Sequence, residues 1–280
     1  MNTKKHVAIA AAVAGGVFFF VALHAFTRVP EAKAGGSIVN SYPLDDPGPE
    51  PEYDRSFLIT GLTKKSEESG IKYYLITFSD REIINKIQVS GVVKKWYITG
   101  QVTLPAAYKK IRGIAYSDGD QYPAGLWVYA GSYDGQPSGP RIFKATTSGS
   151  VIYESEFTVS HEGGGLAWYS PYIYVLDYAE RKIYKYTAGG SLLTNWPKNA
   201  PDYASVNRIP YGIAADSNYL WVTSYGKYDR IIQMNKNGTT TGSVIDAPNT
   251  FHPHITAITN DGNHLMYVDD ATDTLYEITK

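Results

Sequence analysis

Leu220-Trp221-Val222 is one of four short apolar triplets that recur along this chain of 280 residues. The other three are Leu126-Trp127-Val128, Ile173-Tyr174-Val175 and Leu265-Met266-Tyr267, and successive triplets begin 47, 47 and 45 residues apart. Each is followed by a second apolar segment, of which Arg230-Ile231-Ile232-Gln233 is typical. A period of about 40 to 50 residues with strand-like content is typical of β-propellers. The spacing therefore predicts an all-β fold, a propeller of four-stranded antiparallel blades.

The other two strands of each predicted blade lie on either side of this pair. A segment of small residues precedes the triplet, as in Gly212-Ile213-Ala214-Ala215, and small side chains suit inner strands that crowd around an axis. A turn signal follows the third strand, as in Lys236-Asn237-Gly238-Thr239, because Asn-Gly between apolar segments favours a hairpin. A weaker copy of the pattern lies upstream, between residues 57 and 102. We therefore expect a five-bladed propeller over residues 55–280.

The fifth predicted blade lacks a fourth strand, because the sequence ends at Lys280 just after the third. An open strand edge favours aggregation, and closed rings avoid it. Residues 37–42, which contain Ile38-Val39, are the candidate donor of the missing strand. The alternative is a last blade of three strands.

Residues 1–34 do not follow the repeat and are typical of a targeting segment. Lys4 and Lys5 precede residues 7–26, a stretch of 20 residues without Asp, Glu, Lys or Arg. As a hydrophobic helix this stretch would span roughly 30 Å, the thickness of a bilayer core. One interpretation is a signal peptide cleaved after Ala34. The other is an uncleaved membrane anchor with its basic residues on the cytoplasmic side. Both predict an exported propeller, either secreted or held at the cell surface.

Composition separates a linker from the propeller and excludes two kinds of site. Residues 35–54 hold four prolines and five acidic residues, which disfavours helix and favours a stiff, extended spacer. The chain has no cysteine, so disulfides and thiolate metal sites are excluded. Its net charge is −1, and without a basic field we expect no nucleic-acid partner.

Several polar side chains are predicted to meet on one face of the propeller. The loops that enter the inner strands and the loops that join the second and third strands emerge at the same end of the channel. The candidates for ligand binding from these loops are Arg112, His161, Glu162, Asp177, Arg208, Tyr225, His252, His254 and Asp269. The same loops also contain Tyr178, Asp229 and Asp270.

The chemistry of these residues allows a catalytic or a metal-binding site. Histidine is an acid–base group near neutral pH and a common metal ligand, and carboxylates bind hard cations. The candidates for catalysis are His161, Glu162 and His254, and the candidate ligands of a divalent cation are His161, His252, His254 and Asp269. The alternative is a structural role, because loop aspartates commonly cap turns. The spacing of His252-Pro253-His254 matches no metal motif.

Tyrosines in or beside the predicted loops indicate another kind of site. They are Tyr133, Tyr169, Tyr172, Tyr225 and Tyr228. An exposed aromatic ring with a hydroxyl group suits the face of a sugar or a protein interface. Alternatively, these rings fill the wedges between blades.

One predicted blade carries a family resemblance. Ile209-Pro210-Tyr211-Gly212-Ile213-Ala214-Ala215-Asp216, followed by Tyr219-Leu220-Trp221-Val222-Thr223, resembles the repeat of NHL-type propellers and of the streptogramin (virginiamycin B) lyase group. Those lyases use a channel-face histidine as general base, with a carboxylate and a magnesium ion. The resemblance implies His161 or His254 as the base, with Glu162 or Asp269 nearby. NHL-type propellers more often bind proteins, sugars or nucleic acid without catalysis.

The sequence as a whole favours a binding module. We expect an exported propeller, tethered to the membrane through residues 7–26, that binds a glycan or another surface protein without catalysis. One alternative is an extracytoplasmic metal-dependent lyase or hydrolase that uses the same residues. Another is a structural protein of the cell surface.

Overall fold

The structure is a computed structural model of the chain. It describes residues 36–43, 59–69, 71–78, 83–90, 95–108, 110–119, 124–131, 139–201, 208–226, 229–247, 254–272 and 274–280. All of them belong to one compact unit, Glu31–Lys280. The predicted N-terminal helix and most of the predicted linker lie outside these ranges. Within the ranges, no helix has the length and apolarity that a membrane crossing needs.

The described residues form twenty β-strands in five antiparallel sheets of four strands each. Blade 1 holds β2 (Ile59–Glu68), β3 (Ile71–Phe78), β4 (Ile83–Ser90) and β5 (Lys95–Thr103); blade 2 holds β6 (Ile111–Ser117), β7 (Gly125–Ala130), β8 (Arg141–Ala145) and β9 (Val151–Thr158). Blade 3 holds β10 (Gly163–Tyr169), β11 (Tyr172–Asp177), β12 (Lys182–Thr187) and β13 (Lys198–Asn199); blade 4 holds β14 (Ile209–Ala215), β15 (Tyr219–Tyr225), β16 (Arg230–Asn235) and β17 (Thr240–Asp246). Blade 5 holds β18 (Ile255–Asp261), β19 (His264–Asp269), β20 (Thr274–Thr279) and β1 (Ile38–Pro43). The predicted five-bladed β-propeller is confirmed.

The first strand of the described residues completes the last blade. β1 pairs antiparallel with β20, and Tyr42 lies opposite Leu275 while Asn40 lies opposite Glu277. The strand is one residue further along the chain than the predicted donor, residues 37–42. The edge of β20 is therefore covered, and the ring closes by hydrogen bonding between the two ends of the unit.

Small residues let the five inner strands approach one another. A Cβ atom placed on Gly113 would lie 2.9 Å from the backbone nitrogen of Leu166 on the next inner strand. One placed on Gly165 would lie 2.9 Å from the carbonyl oxygen of Tyr211. Real Cβ contacts are not that short, so the spacing of the blades around the axis requires glycine at these two positions. The larger apolar residues fill five separate wedge cores, one between each pair of neighbouring blades.

The predicted turn signals form the same hairpin in blades 2, 3 and 4. In blade 2, Thr146 N donates to Ser150 O at 2.8 Å and Gly149 N donates to Thr146 O at 3.0 Å. Gly190 and Gly238 hold the equivalent positions, and the φ angles of the three glycines are +98°, +85° and +89°. Each turn also packs against the preceding blade. A Cβ on Gly149, for example, would lie 2.2 Å from Thr103 O of blade 1.

Substituting Gly149 tests how strongly this turn holds two blades together. We expect Gly149→Ala to lower the free energy of unfolding by about 2–4 kcal/mol, because the left-handed φ and the clash with Thr103 both disfavour a side chain. Gly242→Ala is the matched control, since Gly242 has φ +85° but no heavy atom within 4 Å of an added Cβ. It should lose only the conformational part, about 1–2 kcal/mol. Equal losses in urea denaturation would mean that the contact between blades contributes nothing.

Ring closure is reinforced by an ionic network around two buried carboxylates of blade 5. Lys72 Nζ of blade 1 lies 2.7 Å from Asp261 Oδ2 and 2.7 Å from Glu277 Oε1. Asp261 also accepts hydrogen bonds from Lys64 and from the hydroxyl of Tyr74. Glu277 accepts hydrogen bonds from two side chains of β1, Asn40 at 2.8 Å and Tyr42 at 3.1 Å. The network therefore joins β1, blade 1 and blade 5.

The pKa values of the two carboxyls reflect this network. Burial alone would raise the pKa of Asp261 and of Glu277, but the hydrogen bonds that they accept outweigh burial and lower both pKa values. A carboxylate with a lowered folded-state pKa stabilises the fold above its unfolded-state pKa. That stability is lost as the pH falls through the folded-state pKa.

We expect Lys72→Met to destabilise the propeller by about 3 kcal/mol at pH 7, because two buried carboxylates lose the cation they share. The difference from wild type should shrink as the pH falls below about 4, where the carboxylates take up protons. Chemical denaturation at pH 7 and at pH 3 measures both effects. Lys182→Met is the control, because its ion pair with Glu180 is exposed and should contribute about 0–1 kcal/mol. An effect of Lys72→Met that is equal at the two pH values would contradict the assignment.

Candidate functional site

A β-bulge occurs at the start of every inner strand. The register between the first and second strands of each blade shifts at the same place. The residues that the bulges contain are Thr60, Arg112, Gly164, Tyr211 with Gly212, and Thr256. Bulges turn side chains out of the regular alternation of a strand and are frequent beside functional sites. Here they lie at the end of the channel where the sequence analysis placed the binding face.

Arg112 is the centre of a polar contact between blades 2 and 3 on this face. Its Nη1 lies 3.2 Å from Glu162 Oε2 and donates to the hydroxyl oxygen of Tyr178 at 3.1 Å. The guanidinium carbon also lies 5.6 Å from the centre of the Tyr178 ring. The side chain of Glu162 is 56% exposed and that of Arg112 is 21% exposed, so the pair is accessible from solvent.

Aromatic rings continue from Tyr178 across blades 4 and 5. Tyr178 and Tyr211 lie parallel, with an angle of 5° between the rings and 5.9 Å between their centres. Tyr211 meets Tyr225 edge to face at 6.3 Å, and Tyr225 meets His254 edge to face at 4.9 Å. We call the continuous row Glu162, Arg112, Tyr178, Tyr211, Tyr225 and His254 the aromatic arc. All of these side chains are at least partly accessible.

The three glycines after Glu162 make room for the arc. A Cβ on Gly163 would lie 2.9 Å from the ring of Tyr129, whose hydroxyl oxygen accepts a hydrogen bond from Gly163 N at 2.6 Å. A Cβ on Gly164 would lie 3.2 Å from the ring of Tyr178. Gly163 and Gly164 therefore leave space for the rings of Tyr129 and Tyr178 at the start of an inner strand. They do not form a loop that surrounds a ligand.

His161, a predicted catalytic and metal-binding residue, is buried beneath the arc. It is 4% exposed, its ring stacks on Tyr184 at 3.8 Å, and its Nε2 lies 2.9 Å from the hydroxyl of Tyr186. Its Nδ1 lies 3.8 Å from Asp177 Oδ2, which is too far for a hydrogen bond. Burial lowers the pKa of His161 to about 4, against an opposite effect of the Glu180 charge. The imidazole is therefore neutral at neutral pH.

The aspartates at the ends of the second strands cap turns. Asp177 Oδ1 accepts hydrogen bonds from the backbone nitrogens of Ala179 and Glu180, both at 2.8 Å. Asp269 is 2% exposed and accepts hydrogen bonds from His254 N, Ala271 N and the Thr272 hydroxyl. Burial raises the pKa of Asp177, although the two backbone hydrogen bonds lower it.

The remaining predicted residues lie in three situations. Arg208 is half-buried just before β14, and Asp229 accepts hydrogen bonds from Gly226 N and Ile255 N, both at 2.9 Å. His252 lies outside the described residues. Among the described residues, no group of three or more His, Cys, Asp or Glu side chains is arranged to hold a metal ion. The structure thus brings Arg112, Glu162, Tyr225 and His254 together in the arc, and places His161, Asp177 and Asp269 below it.

Tyr211 belongs to the site although its sequence context indicated only a repeat. It precedes Gly212 in the segment that carries the family resemblance, where the pattern predicts a strand and no binding role. Arg112 precedes Gly113 in the same way. The position before the small inner-strand residue is thus the signal that identifies side chains directed by the bulge.

A cavity opens at the opposite end of the channel. Its volume is about 510 Å³, and residues of all five inner strands line it. Five apolar residues, Leu62, Ile114, Leu166, Ile213 and Ile258, form one layer of the lining, and polar or aromatic residues follow them along the inner strands. They include Lys65, Tyr116, Asp118, Trp168, Tyr169, Ser170 and Asn260.

Comparison with known proteins supports the fold. No protein-family model and no curated protein matches the sequence. The glutaminyl cyclase of Myxococcus xanthus has a similar structure, with a TM-score of 0.59 and 14% identity over 87% of this chain and 95% of that one. A protein of unknown function from Bacteroides caccae gives a TM-score of 0.48 with 12% identity, over 77% of this chain and 72% of that one. A streptogramin B lyase gives 0.44 with 16% identity, over 85% and 67%. At these identities, the likeness concerns the propeller and not an activity.

The protonation of His161 can be tested by NMR. We expect its ring resonances to stay constant from pH 8 to about pH 5 and to titrate with a midpoint near 4, because burial disfavours the charged imidazole. Comparison with the spectrum of His161→Asn assigns the signals. A midpoint near the ordinary value of about 6.5 would contradict the buried placement.

Proposed function

We propose that the chain is an exported propeller, tethered to the membrane through residues 7–26, whose aromatic arc binds a glycan without catalysis. The observation that carries this proposal is the continuous row of accessible rings on one face, from Tyr178 through Tyr211 and Tyr225 to His254. Tyrosine rings present flat apolar surfaces with a hydroxyl at the edge, which suits the C–H face and the hydroxyl groups of a sugar.

The charged end of the arc fits the same ligand class. Arg112 and Glu162 are paired, so this end has no net charge, and together they offer donors and acceptors to hydroxyl groups. Proteins and other partners with one dominant charge would gain little from such a pair. The exposure of Glu162 keeps the carboxylate hydrated, and a ligand can reach it without opening the fold.

The low accessibility of His161 favours binding over catalysis on this face. A general base must come within hydrogen-bond reach of a proton on its substrate, and the Nε2 of His161 is already bonded to Tyr186 under the surface. Export and tethering are supported by the basic start of the chain and the uncharged residues 7–26. A lyase, a hydrolase and a protein-binding module are the alternatives that the next experiment separates.

A glycan array probed with the full chain, followed by calorimetry on the best hit, tests the proposal. We expect Tyr178→Ala and Tyr211→Ala each to weaken binding about tenfold, because each removes a stacking surface. Tyr178→Phe and Tyr211→Phe, which keep the ring, should retain most of the affinity. Tyr116→Ala is the control, because its ring lines the cavity at the opposite mouth.

Three results would contradict the proposal. If no glycan on the array binds and a protein partner is captured through the arc, a protein-binding module would be favoured. Conversion of the bound glycan to a product would show an enzyme. If Tyr116→Ala loses binding and the arc variants keep it, the ligand binds at the other end of the channel.

A further inference from the structure

A second group of side chains, far from the arc along the channel, lies between blades 3 and 4. It consists of two lysines and three tyrosines. Lys185 Nζ lies 4.0 Å from the ring centre of Tyr172 and 5.2 Å from that of Tyr174. Lys236 Nζ lies 3.0 Å from the ring centre of Tyr169. We call these five residues the lysine–tyrosine cluster.

Neither ammonium group has a carboxylate partner within the part of the chain that the structure describes. No described ion pair involves Lys185 or Lys236, and Lys185 is 9% exposed. Asp216 is near enough to influence Lys236, but its oxygens are used elsewhere. Oδ2 accepts hydrogen bonds from Trp221 Nε1 at 2.9 Å and from Lys280 Nζ at 2.8 Å. The tyrosine rings compensate part of the positive charge, and the rest is left without a counter-ion.

Three polar atoms of this region are buried without a hydrogen-bond partner. They are Lys236 Nζ, Tyr174 Oη and Ser170 Oγ. All three can donate a hydrogen bond, and leaving a buried donor unpaired costs about 1–3 kcal/mol. Donors of the same kind and a net positive charge in one place are what an anion requires.

The fold itself does not require these lysines. Lys236 occupies the second position of the third-to-fourth-strand hairpin, where blade 2 has Thr147 and blade 3 has Ala188. Lys185 lies opposite Tyr174 on the neighbouring strand, and the equivalent pairs are Lys144 with Trp127 in blade 2 and Gln233 with Trp221 in blade 4. A neutral residue therefore occupies the position of Lys236 in blades 2 and 3 and the position of Lys185 in blade 4.

The pKa values of Lys185 and Lys236 agree with positive charges that have no counter-ion. Burial lowers the pKa of Lys236 to about 8, against a raising effect of Asp216 and with a further lowering by the charge of Lys185. Burial also lowers the pKa of Lys185. A bound anion would reverse both effects, since an opposite charge favours the protonated amine.

The ring of Tyr169 lies between the cluster and the central cavity. Tyr169 and Ser170 line the mouth of the cavity, and Tyr169 is 37% exposed while it covers Lys236. Neither lysine lines the cavity, so a ligand there would reach Lys236 Nζ only if the ring of Tyr169 moved aside.

We propose that the lysine–tyrosine cluster is a binding site for the oxyanion group, phosphate or carboxylate, of a small ligand that occupies the central cavity. Lys185 and Lys236 supply the charge, and Tyr174 and Ser170 supply hydroxyl donors. Tyr169 acts as a movable cover. The site is separate from the aromatic arc, and its existence does not depend on the proposed glycan.

Calorimetry on the full chain at constant ionic strength tests the site, with inorganic phosphate and acetate as separate probes and chloride as the blank. We expect saturable binding of at least one of the two probes. Lys185→Met and Lys236→Met should each weaken that binding about tenfold or more, because each removes a charge-assisted hydrogen bond. Lys144→Met is the matched control, since Lys144 is also buried and holds the position in blade 2 that corresponds to Lys185.

A second measurement on the wild-type chain does not depend on any variant folding. Acetylation by an amine-reactive reagent, mapped by mass spectrometry at pH 8, should modify Lys236 more slowly in the presence of the bound probe.

Tyr174→Phe preserves the volume of the core and should weaken binding without loss of structure.

Preference for phosphate would indicate a phosphate ester, and preference for acetate would indicate a carboxylate ligand; both support the site. Absence of saturable binding and of protection at Lys236 for both probes would overturn it. So would binding that survives in the double variant Lys185→Met/Lys236→Met or that is lost equally in Lys144→Met.

Discussion

The closeness of the five inner strands is the constraint on which the molecule depends. Gly113 and Gly165 have no room for a Cβ because the next strand lies against them, and this fixes how far each blade can stand from the axis. Once that distance is set, the wedge between two blades must be filled by large side chains such as Trp127 and Trp221. The ring is then complete only if blade 5 meets blade 1, and the network around Asp261 and Glu277 provides that junction.

The two ends of the channel follow from the same geometry. At one end, the register shift in each inner strand directs Arg112 and Tyr211 away from the blade and toward the face. At the other end, the strands diverge into turns, and a cavity of about 510 Å³ remains. The first end has mixed polarity and paired charges, whereas Tyr169 at the second end covers Lys236, which has no ion pair among the described residues. A single scaffold thus offers two chemically different surfaces.

Much of the fold could be predicted from sequence, because it is encoded in local patterns that repeat. The period, the small residues of the inner strands and turns such as Asn237-Gly238 each recur within about 50 residues, so each copy supports the others. The arc was predicted only in part. Arg112, Glu162, Tyr225 and His254 could be predicted because the sequence pattern places them where loops enter or leave strands. Tyr211 could not, because the pattern places it inside a strand and a bulge redirects it.

Burial explains the predictions that sequence could not resolve. His161 lies in a predicted loop, yet Tyr184 and Tyr186, two strands away in the same blade, cover and bond its ring. No spacing along the chain reveals such a cover. The role of Lys236 cannot be predicted for a different reason: Asn237-Gly238 is a strong turn signal that explains the whole segment and gives the lysine beside it no separate role.

The pairing of β1 with β20 has a consequence for synthesis of the protein. Tyr42 and the carboxylate of Glu277 are 235 residues apart in sequence. During synthesis β1 is therefore made long before β20, its pairing partner. At a ribosomal rate of about 5–20 residues per second, that interval is roughly 10–50 s. During this time blades 1 to 4 can form in order while β1 stays unpaired. A chaperone that holds β1 until then would protect the nascent chain from pairing with another chain.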